Sequence, residues 1–317
     1  MTTKEHLLRI LTENKGKEIS GQYLADTLNI SRTAVWKAVN VLIADGCEIQ
    51  AGRNRGYRLV SEADLLSAGA IKAFLPPKLQ SSEMILLKTV DSTNTYAKKL
   101  AADGAADGTI VIAEQQTAGR GRRGNSFYSP PKSGLYMTVI LRPRLHAADI
   151  DLFTICAGCA VCRAVESLSG TDPQIKWVND VYLNGKKICG ILSEATADFE
   201  SGTVDSVVTG IGINISTEDF PEELTCKAGS INTGSVTRAR LAAAVLSELM
   251  YCLERRRADN IADYKAHSLV LGKKVDFVMN NVQYSAKAVD IDDKGQLVVE
   301  TKDGEMRLNS GEVSVKL

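Results

Sequence analysis

Apolar residues recur at helical spacing in three runs within the first 45 positions. Residues 4–14 place Leu7, Leu8, Ile10 and Leu11 on one face. Ser20 stands as an N-cap before a short helix over 22–28, with Tyr23, Leu24 and Leu28 expected inward. Ser31 is a second N-cap, opening a helix through Ala44 whose apolar face is Ala34, Val35, Ala38, Val39, Leu42 and Ile43. Its other face shows Arg32, Thr33, Trp36, Lys37 and Asn40. Asp45-Gly46 ends that helix, and two short strands, 47–50 and 57–60, flank the turn AGRNRG.

Residues 61–75 read as a connecting helix, broken at Pro76-Pro77. From about position 83 the periods alternate: strands at 85–89, 109–114, 134–141, 174–177, 181–183, 187–193 and 206–215, and helices at 93–102, 151–168 and 238–257. The last stretch, 271–317, shows five short strands between turn signals at Asn280-Asn281, Asp292 to Gly295 and Asp303-Gly304, the pattern of a small barrel. The expected fold class is α+β: a winged helix-turn-helix over 1–62, a linker helix over 63–80, a central mixed α/β domain over 81–270 and a C-terminal barrel over 271–317.

Charge sharpens this picture. The 317 residues balance 38 Lys+Arg against 38 Asp+Glu, which excludes a general polyanion binder. Residues 1–60, however, hold nine Lys/Arg against six Asp/Glu. A basic winged helix suits DNA: Ser31, Arg32, Thr33, Trp36 and Lys37 would face base edges from the second helix, and Arg53 and Arg55 would grip phosphate or minor groove from the hairpin. Small helical domains of this pattern also serve protein contacts. Trp36 suits a wedge, a stacking group or a partly packed side chain equally well. The longest apolar run, Ile155 to Cys162, is far short of the roughly 20 residues of a membrane span, and no membrane partner is expected. The seven scattered cysteines suggest reduced thiols and a cytoplasmic protein.

Four segments carry chemistry. Gly119-Arg120-Gly121-Arg122-Arg123-Gly124, preceded by Gln116-Thr117-Ala118, puts three glycines and three arginines into six residues after an expected strand. Glycines let backbone N–H groups approach a ligand, and arginines offer forks for phosphate or carboxylate. Neither GxxxxGK[ST] nor a helix-opening GxGxxG is present. Lys176-Trp177-Val178-Asn179-Asp180 and Lys187-Ile188-Cys189-Gly190-Ile191-Leu192 form a hairpin with a lysine among apolar strand residues, suited either to an anionic substrate or to snorkelling. Asp91-Ser92-Thr93-Asn94 reads first as an N-cap and second as a polar ligand site. Gly210-Ile211-Gly212-Ile213-Asn214 alternates glycine within a strand, which signals either close approach or a bulge.

Taken together, DSTN at 91–94, QTAGRGRRG at 116–124, KWVND at 176–180, KICGIL at 187–192 and GIGIN at 210–214 resemble the biotin protein ligases. With the N-terminal winged helix and the C-terminal barrel, the chain is most similar to the bifunctional members that double as biotin-operon repressors. The resemblance implies a central domain of class II synthetase type and an SH3-like barrel. It implies an ATP- and Mg2+-dependent enzyme that forms biotinyl-5′-adenylate and passes biotin to one lysine of a biotin carboxyl carrier protein, of acetyl-CoA carboxylase or another carboxylase. The same resemblance implies an adenylate-bound homodimer on operator DNA. By motif match, Ser92, Thr93, Asn94, Gln116, Gly119, Arg120, Gly121, Arg122 and Lys187 surround biotin. Arg120, Arg122, Arg123, Lys176, Trp177, Asn179 and Asn214 take the nucleotide, with Lys187, Arg120 and Arg122 catalytic and Asp180 a magnesium ligand. Two other readings are a biotin-sensing repressor without catalysis and a related lipoate or acyl protein ligase.

Three positions depart from that pattern. Val178 replaces a proline, Asn125 a basic residue and Phe127 a tryptophan, and no tryptophan occurs over 216–235 to cover an adenine. Cys156, Cys159 and Cys162 have the C-x2-C-x2-C spacing of some iron–sulfur proteins, but they lie in an apolar helix and read as small core residues. His6, His146 and His267 show no ligand spacing.

Overall fold

A computed structural model describes the chain except for residues 1, 45, 53–54, 62–63, 65, 144–149, 198–203, 235, 280–281, 303 and 310–317. It divides into two compact units, Met1–Ser81 with Val236–Ala244, and Ser82–Ser235 with Val245–Leu317.

In the first unit, α1 (Thr3–Glu13), α2 (Gly21–Leu28) and α3 (Arg32–Ala44) close on one core, and β1 (Glu48–Gly52) pairs antiparallel with β2 (Gly56–Ser61) as the wing. The caps are as the sequence implies: Tyr23 N donates to Ser20 Oγ at 3.0 Å and Ala34 N to Ser31 Oγ at 3.1 Å. Leu7, Leu11, Leu24, Val35, Leu42 and Leu59 are fully buried. Two expected core residues are not inside. Tyr23 is 55% exposed and Ile43 43% exposed, because Leu24 and Ala25 of α2 and Val35, Ala38, Val39 and Leu42 of α3 already fill the narrow seam among three short helices. The expected helix over 61–75 is only α4 (Ala68–Phe74): Ser67 takes the N-cap and its Oγ accepts from Ala70 N at 3.1 Å, so the described residues before it lie outside the helix. Small residues let α4 pack on α1, within this unit.

The second unit is built on a seven-stranded mixed sheet of order β3-β4-β5-β9-β8-β7-β6. These strands are β3 (Met84–Leu87), β4 (Ile110–Ala113), β5 (Gly134–Leu141), β6 (Gln174–Lys176), β7 (Asp180–Leu183), β8 (Lys186–Ala197) and β9 (Val204–Asn214). Only β3 and β4 run parallel. Helices α5 (Thr93–Ala102) and α6 (Asp151–Ser169) pack against the sheet. Helix α6 is long and apolar enough to cross a membrane, but 67% of that window is buried inside the domain. Cys156, Cys159 and Cys162 have no exposed surface and pack as core; burial pushes the Cys156 thiol up to about 12 and raises the other two as well.

The expected helix over 238–257 is two helices, α7 (Arg238–Glu254) and α8 (Arg257–Ala266), separated by extended Arg256. The sequence hides α8 because it buries only Asn260, Ile261 and Tyr264, too few for a clear period. The last four strands, β10 (Lys274–Met279), β11 (Val282–Ile291), β12 (Leu297–Thr301) and β13 (Gly304–Leu308), form an antiparallel meander. Four strands stand among the described residues where five were expected over 271–317, and no pairing among them closes a barrel. Trp177 Nε1 donates to Gly295 O at 3.0 Å, tying this meander to the central sheet.

Candidate active site

The ends of α5, β8 and β9 and the loop after β4 converge on three adjoining pockets. The register explains why: Gly190 pairs with Gly212 and Leu192 with Gly210 across β8 and β9, and Thr138 pairs with Gly210 across β5 and β9. Gly190, Gly210 and Gly212 therefore leave part of one floor bare of side chains, beside Leu192.

Over that floor lies the ring of Phe127, edge-on to Tyr136 with centroids 6.4 Å apart. A Cβ at Gly212 would sit 2.6 Å from this ring and one at Gly190 3.2 Å, so the glycines are there for close approach and no bulge is needed. Phe127 lines all three pockets.

The innermost pocket holds Ser92, Thr93, Asn94, Gln116 and Arg120. Ser92 occupies the N-cap position of α5 but its side chain makes no capping hydrogen bond, so capping does not explain this motif. Instead Gln116 Oε1 accepts from Thr93 N at 2.8 Å and from Thr93 Oγ1 at 3.1 Å, while its Nε2 donates to Ser129 Oγ at 2.9 Å. Two segments 23 residues apart are thus one hydrogen-bonded unit. Gly119 is buried beneath the loop, where a Cβ would lie 2.4 Å from Phe127 O. With Phe127 in place this pocket measures only about 20 Å3.

The second pocket, about 120 Å3, is lined by Arg120, Gly121, Arg122, Arg123, Lys176, Trp177, Asn179, Asp180 and Lys187. The backbone at Arg123 is left-handed, with φ 58°. Burial lowers Arg122 from its usual value, and the charges of Asp151 and Asp180 work against that shift. Lys187 Nζ lies 2.6 Å from Asp180 Oδ1. Asn179 Nδ2 donates to Ile191 O at 3.0 Å, and Lys176 Nζ sits 5.6 Å from the centre of the Tyr182 ring. Trp177 presents its ring here while its N–H goes to Gly295. The Trp177-Val178 peptide is cis.

Asn214 is the one expected nucleotide residue outside this pocket. It lines a third, of about 90 Å3, with Ser126, Phe127, Tyr128, Lys187, Phe220, Leu224 and Ala228. Tyr128 and Phe220 rings lie 6.2 Å apart. Asn214 Nδ2 donates to Gly229 O at 3.1 Å, but its Oδ1 is buried with no hydrogen-bond partner among the described residues. An orphan acceptor beside an aromatic wall is a place for a planar ring bearing an N–H donor.

Sequence reasoning missed Glu194. Its carboxylate accepts from Asn94 Nδ2 at 3.0 Å and Lys98 Nζ at 2.8 Å, with Arg120 Nη2 at 3.5 Å. Partial burial disfavours its charge, yet these hydrogen bonds and cations hold its carboxyl below the ordinary value. The signal was available: Gly190, Leu192 and Glu194 alternate onto one face of β8. Phe220, Leu224 and Ala228 left no such period. Of the expected DNA-contacting residues, Ser31, Arg32, Thr33, Trp36, Lys37 and Arg55 are all exposed, and Arg53 lies outside the described residues.

The comparisons with known proteins agree with this geometry. Residues 86–214 match the biotin/lipoate A/B protein ligase family, residues 3–58 a helix-turn-helix domain and residues 270–316 the biotin protein ligase C-terminal domain. A bifunctional ligase/repressor BirA of Bacillus spizizenii is 34% identical over 99% of both chains, and that of Escherichia coli 28% identical over 95% of this chain and 94% of its own. A biotin protein ligase of Aquifex aeolicus, solved with biotin and ATP, is similar with a TM-score of 0.64 and 29% identity, covering 74% of this chain and 98% of that one. The chain belongs to the biotin protein ligase family, in the branch of bifunctional ligase/repressors.

Proposed function

We propose that the chain activates biotin with ATP, transfers it to a lysine of a biotin carboxyl carrier protein, and represses transcription from operator DNA as an adenylate-bound homodimer in the cytoplasm. The observation that carries the catalytic half is the meeting of Arg120, Arg122 and Lys187 on one pocket beside a small pocket of hydroxyls and amides.

The inner pocket suits the ureido head of biotin: Ser92, Thr93, Asn94 and Gln116 supply hydroxyl and amide partners. At about 20 Å3 it admits the head only when Phe127 swings off its glycine floor, which makes that ring part of the binding step. The biotin carboxylate then lies toward Arg120 and Lys187, and the triphosphate toward Arg122 and Arg123. A carboxylate oxygen attacks the α-phosphorus, the bond to pyrophosphate breaks, and the mixed anhydride forms. Lys187 and the arginines are pre-placed charges for the oxygens that gain charge in this step. The adenine fits the third pocket, between Tyr128, Phe220 and Leu224, with its amino group donating to Asn214 Oδ1. Phe220 thus takes the place of the missing tryptophan. In the second step the carrier lysine nitrogen attacks the acyl carbon and AMP leaves. No enzyme nucleophile takes part.

The fit to magnesium is narrow. Asp180 is the carboxylate of the phosphate pocket and already faces Lys187. No group of three or more His, Cys, Asp or Glu side chains placed to hold an ion exists among the described residues. Asp180 is therefore one ligand at most, and the rest come from phosphate oxygens and water.

The test is to incubate the protein with MgATP, biotin and a purified carrier domain, and to weigh the carrier. The expected result is one biotinyl group on one lysine, absent without ATP. Binding of biotin without transfer would leave a sensing repressor, and modification by lipoate in its place would leave a related acyl ligase.

A further inference from the structure

Trp36 is 56% exposed, whereas the chain's other tryptophan, Trp177, is 5% exposed. It lies in α3 among exposed Arg32, Thr33 and Lys37, and lines a concave groove of about 700 Å3 with Arg32, Thr33, Ser20 and Gly52. Tyr23, Val41 and Ile43 are also exposed but do not line the groove. The wing that forms one wall is fixed, because Ile19 and Tyr57 exchange backbone hydrogen bonds of 2.9 and 2.8 Å. The groove is therefore in place before any partner arrives, with an indole on its surface.

We propose that Trp36 is a sequence-reading residue whose ring packs on thymine methyl groups in the major groove. This rests on the operator-binding role proposed above. The second helix of a helix-turn-helix enters the major groove with its N-terminal turns toward base edges, and Trp36 is in the second turn of α3. That docking geometry, rather than minor-groove wedging, is the one this placement gives Trp36. In the major groove the base edges are hydrogen-bonding groups except for one apolar feature, the C5 methyl of thymine. Arg32, one turn earlier, and Lys37, next in sequence, supply cations for guanine or phosphate, and beside the small methyl of Thr33 the Trp36 ring is the large exposed apolar surface α3 brings to the groove.

The test uses the full chain with biotin and MgATP. Duplexes are selected from a randomised pool, and affinities are read by fluorescence anisotropy. Failure to enrich any duplex would remove the operator-binding role itself, and this inference with it. With an enriched duplex, replacing the contacted thymine by deoxyuridine should weaken wild-type binding about fourfold per methyl. The same replacement should leave Trp36→Ala unchanged. Trp36→Ala should lose at least about tenfold on the selected duplex and keep its affinity for an unrelated one, with Trp36→Phe between. Equal deoxyuridine losses in both proteins, or equal weakening of Trp36→Ala on selected and unrelated duplexes, would overturn the assignment.

Discussion

Replacing Lys187 by methionine separates catalysis from structure. Lys187 and Asp180 are an ion pair at 2.6 Å with side chains 31% and 23% exposed. Pairs this open to water contribute about 1 kcal/mol or less to folding once screening is included. Melting should therefore fall by only a few degrees. The transition-state contribution is larger, because a pre-placed charge in a partly enclosed cleft meets oxygens that gain charge; loss of one such group costs roughly 10²–10³ in rate, about 3–4 kcal/mol. The assay is single-turnover pyrophosphate release at saturating biotin and MgATP, with melting followed in parallel. The variant also frees a carboxylate beside the phosphates, so Lys187→Met is compared with Lys187→Met/Asp180→Asn. The double variant should recover no more than about tenfold of the roughly 10²–10³ lost. A Lys187→Met rate within about threefold of wild type, far short of the expected loss, would refute the role given to Lys187. So would full recovery in the double variant, which would place the whole effect in Asp180.

Gly212→Ala puts a Cβ 2.6 Å from the half-buried Phe127 ring, which can swing aside, so the cost should stay at about 1 kcal/mol, the low end of overpacking; adding Phe127→Ala should return most of it in urea unfolding, and simple additivity would contradict the packing described. The Glu194 carboxyl sits below its ordinary value in the folded protein, so its stabilising contribution is complete above pH ~4.3 and is lost as pH falls through the folded value. Glu194→Gln should therefore flatten the fall in urea midpoint below about pH 4.5, and an unchanged acid limb would remove the pairing with Lys98. Of the seven cysteines only Cys226 is exposed, so a thiol reagent should label one site rapidly in the native protein and seven after denaturation.

Much of the fold was legible because its elements obey strong periods. Helix α5 and strand β5 fall at 93–102 and 134–141 as read, the helix although Ser92 makes no side-chain capping hydrogen bond, the strand from a run buried along its whole length. Elements whose stability comes from a few contacts were not legible: α8 buries three residues, and α4 needs only its Ser67 cap and the surface of α1. Tyr23 and Ile43 show the limit of reading a face from hydrophobicity alone, since a seam among short helices has room for fewer side chains than the letters supply. In the site, the arginine–glycine loop stood out by its spacing, whereas Lys187 and the alternating glycines, each open to two readings on spacing alone, were picked out by the family resemblance. What the glycines receive was legible from neither. That Phe127 is their guest, that Glu194 faces Asn94, Lys98 and Arg120, and that Phe220 joins Tyr128 depend on strand register and loop return, which one sequence does not display.

The central claim is that one adenylate serves two fates, transfer to a carrier or retention on a DNA-bound protein. The most direct measurement follows binding to a selected duplex by anisotropy with biotin and MgATP, and then adds unmodified carrier domain. Binding should require both substrates and should decay as the carrier gains biotin, while a carrier whose target lysine is replaced should leave it intact. Binding that ignores the substrates, or that persists while the carrier is modified to completion after ATP is exhausted, would contradict the coupling of the two activities.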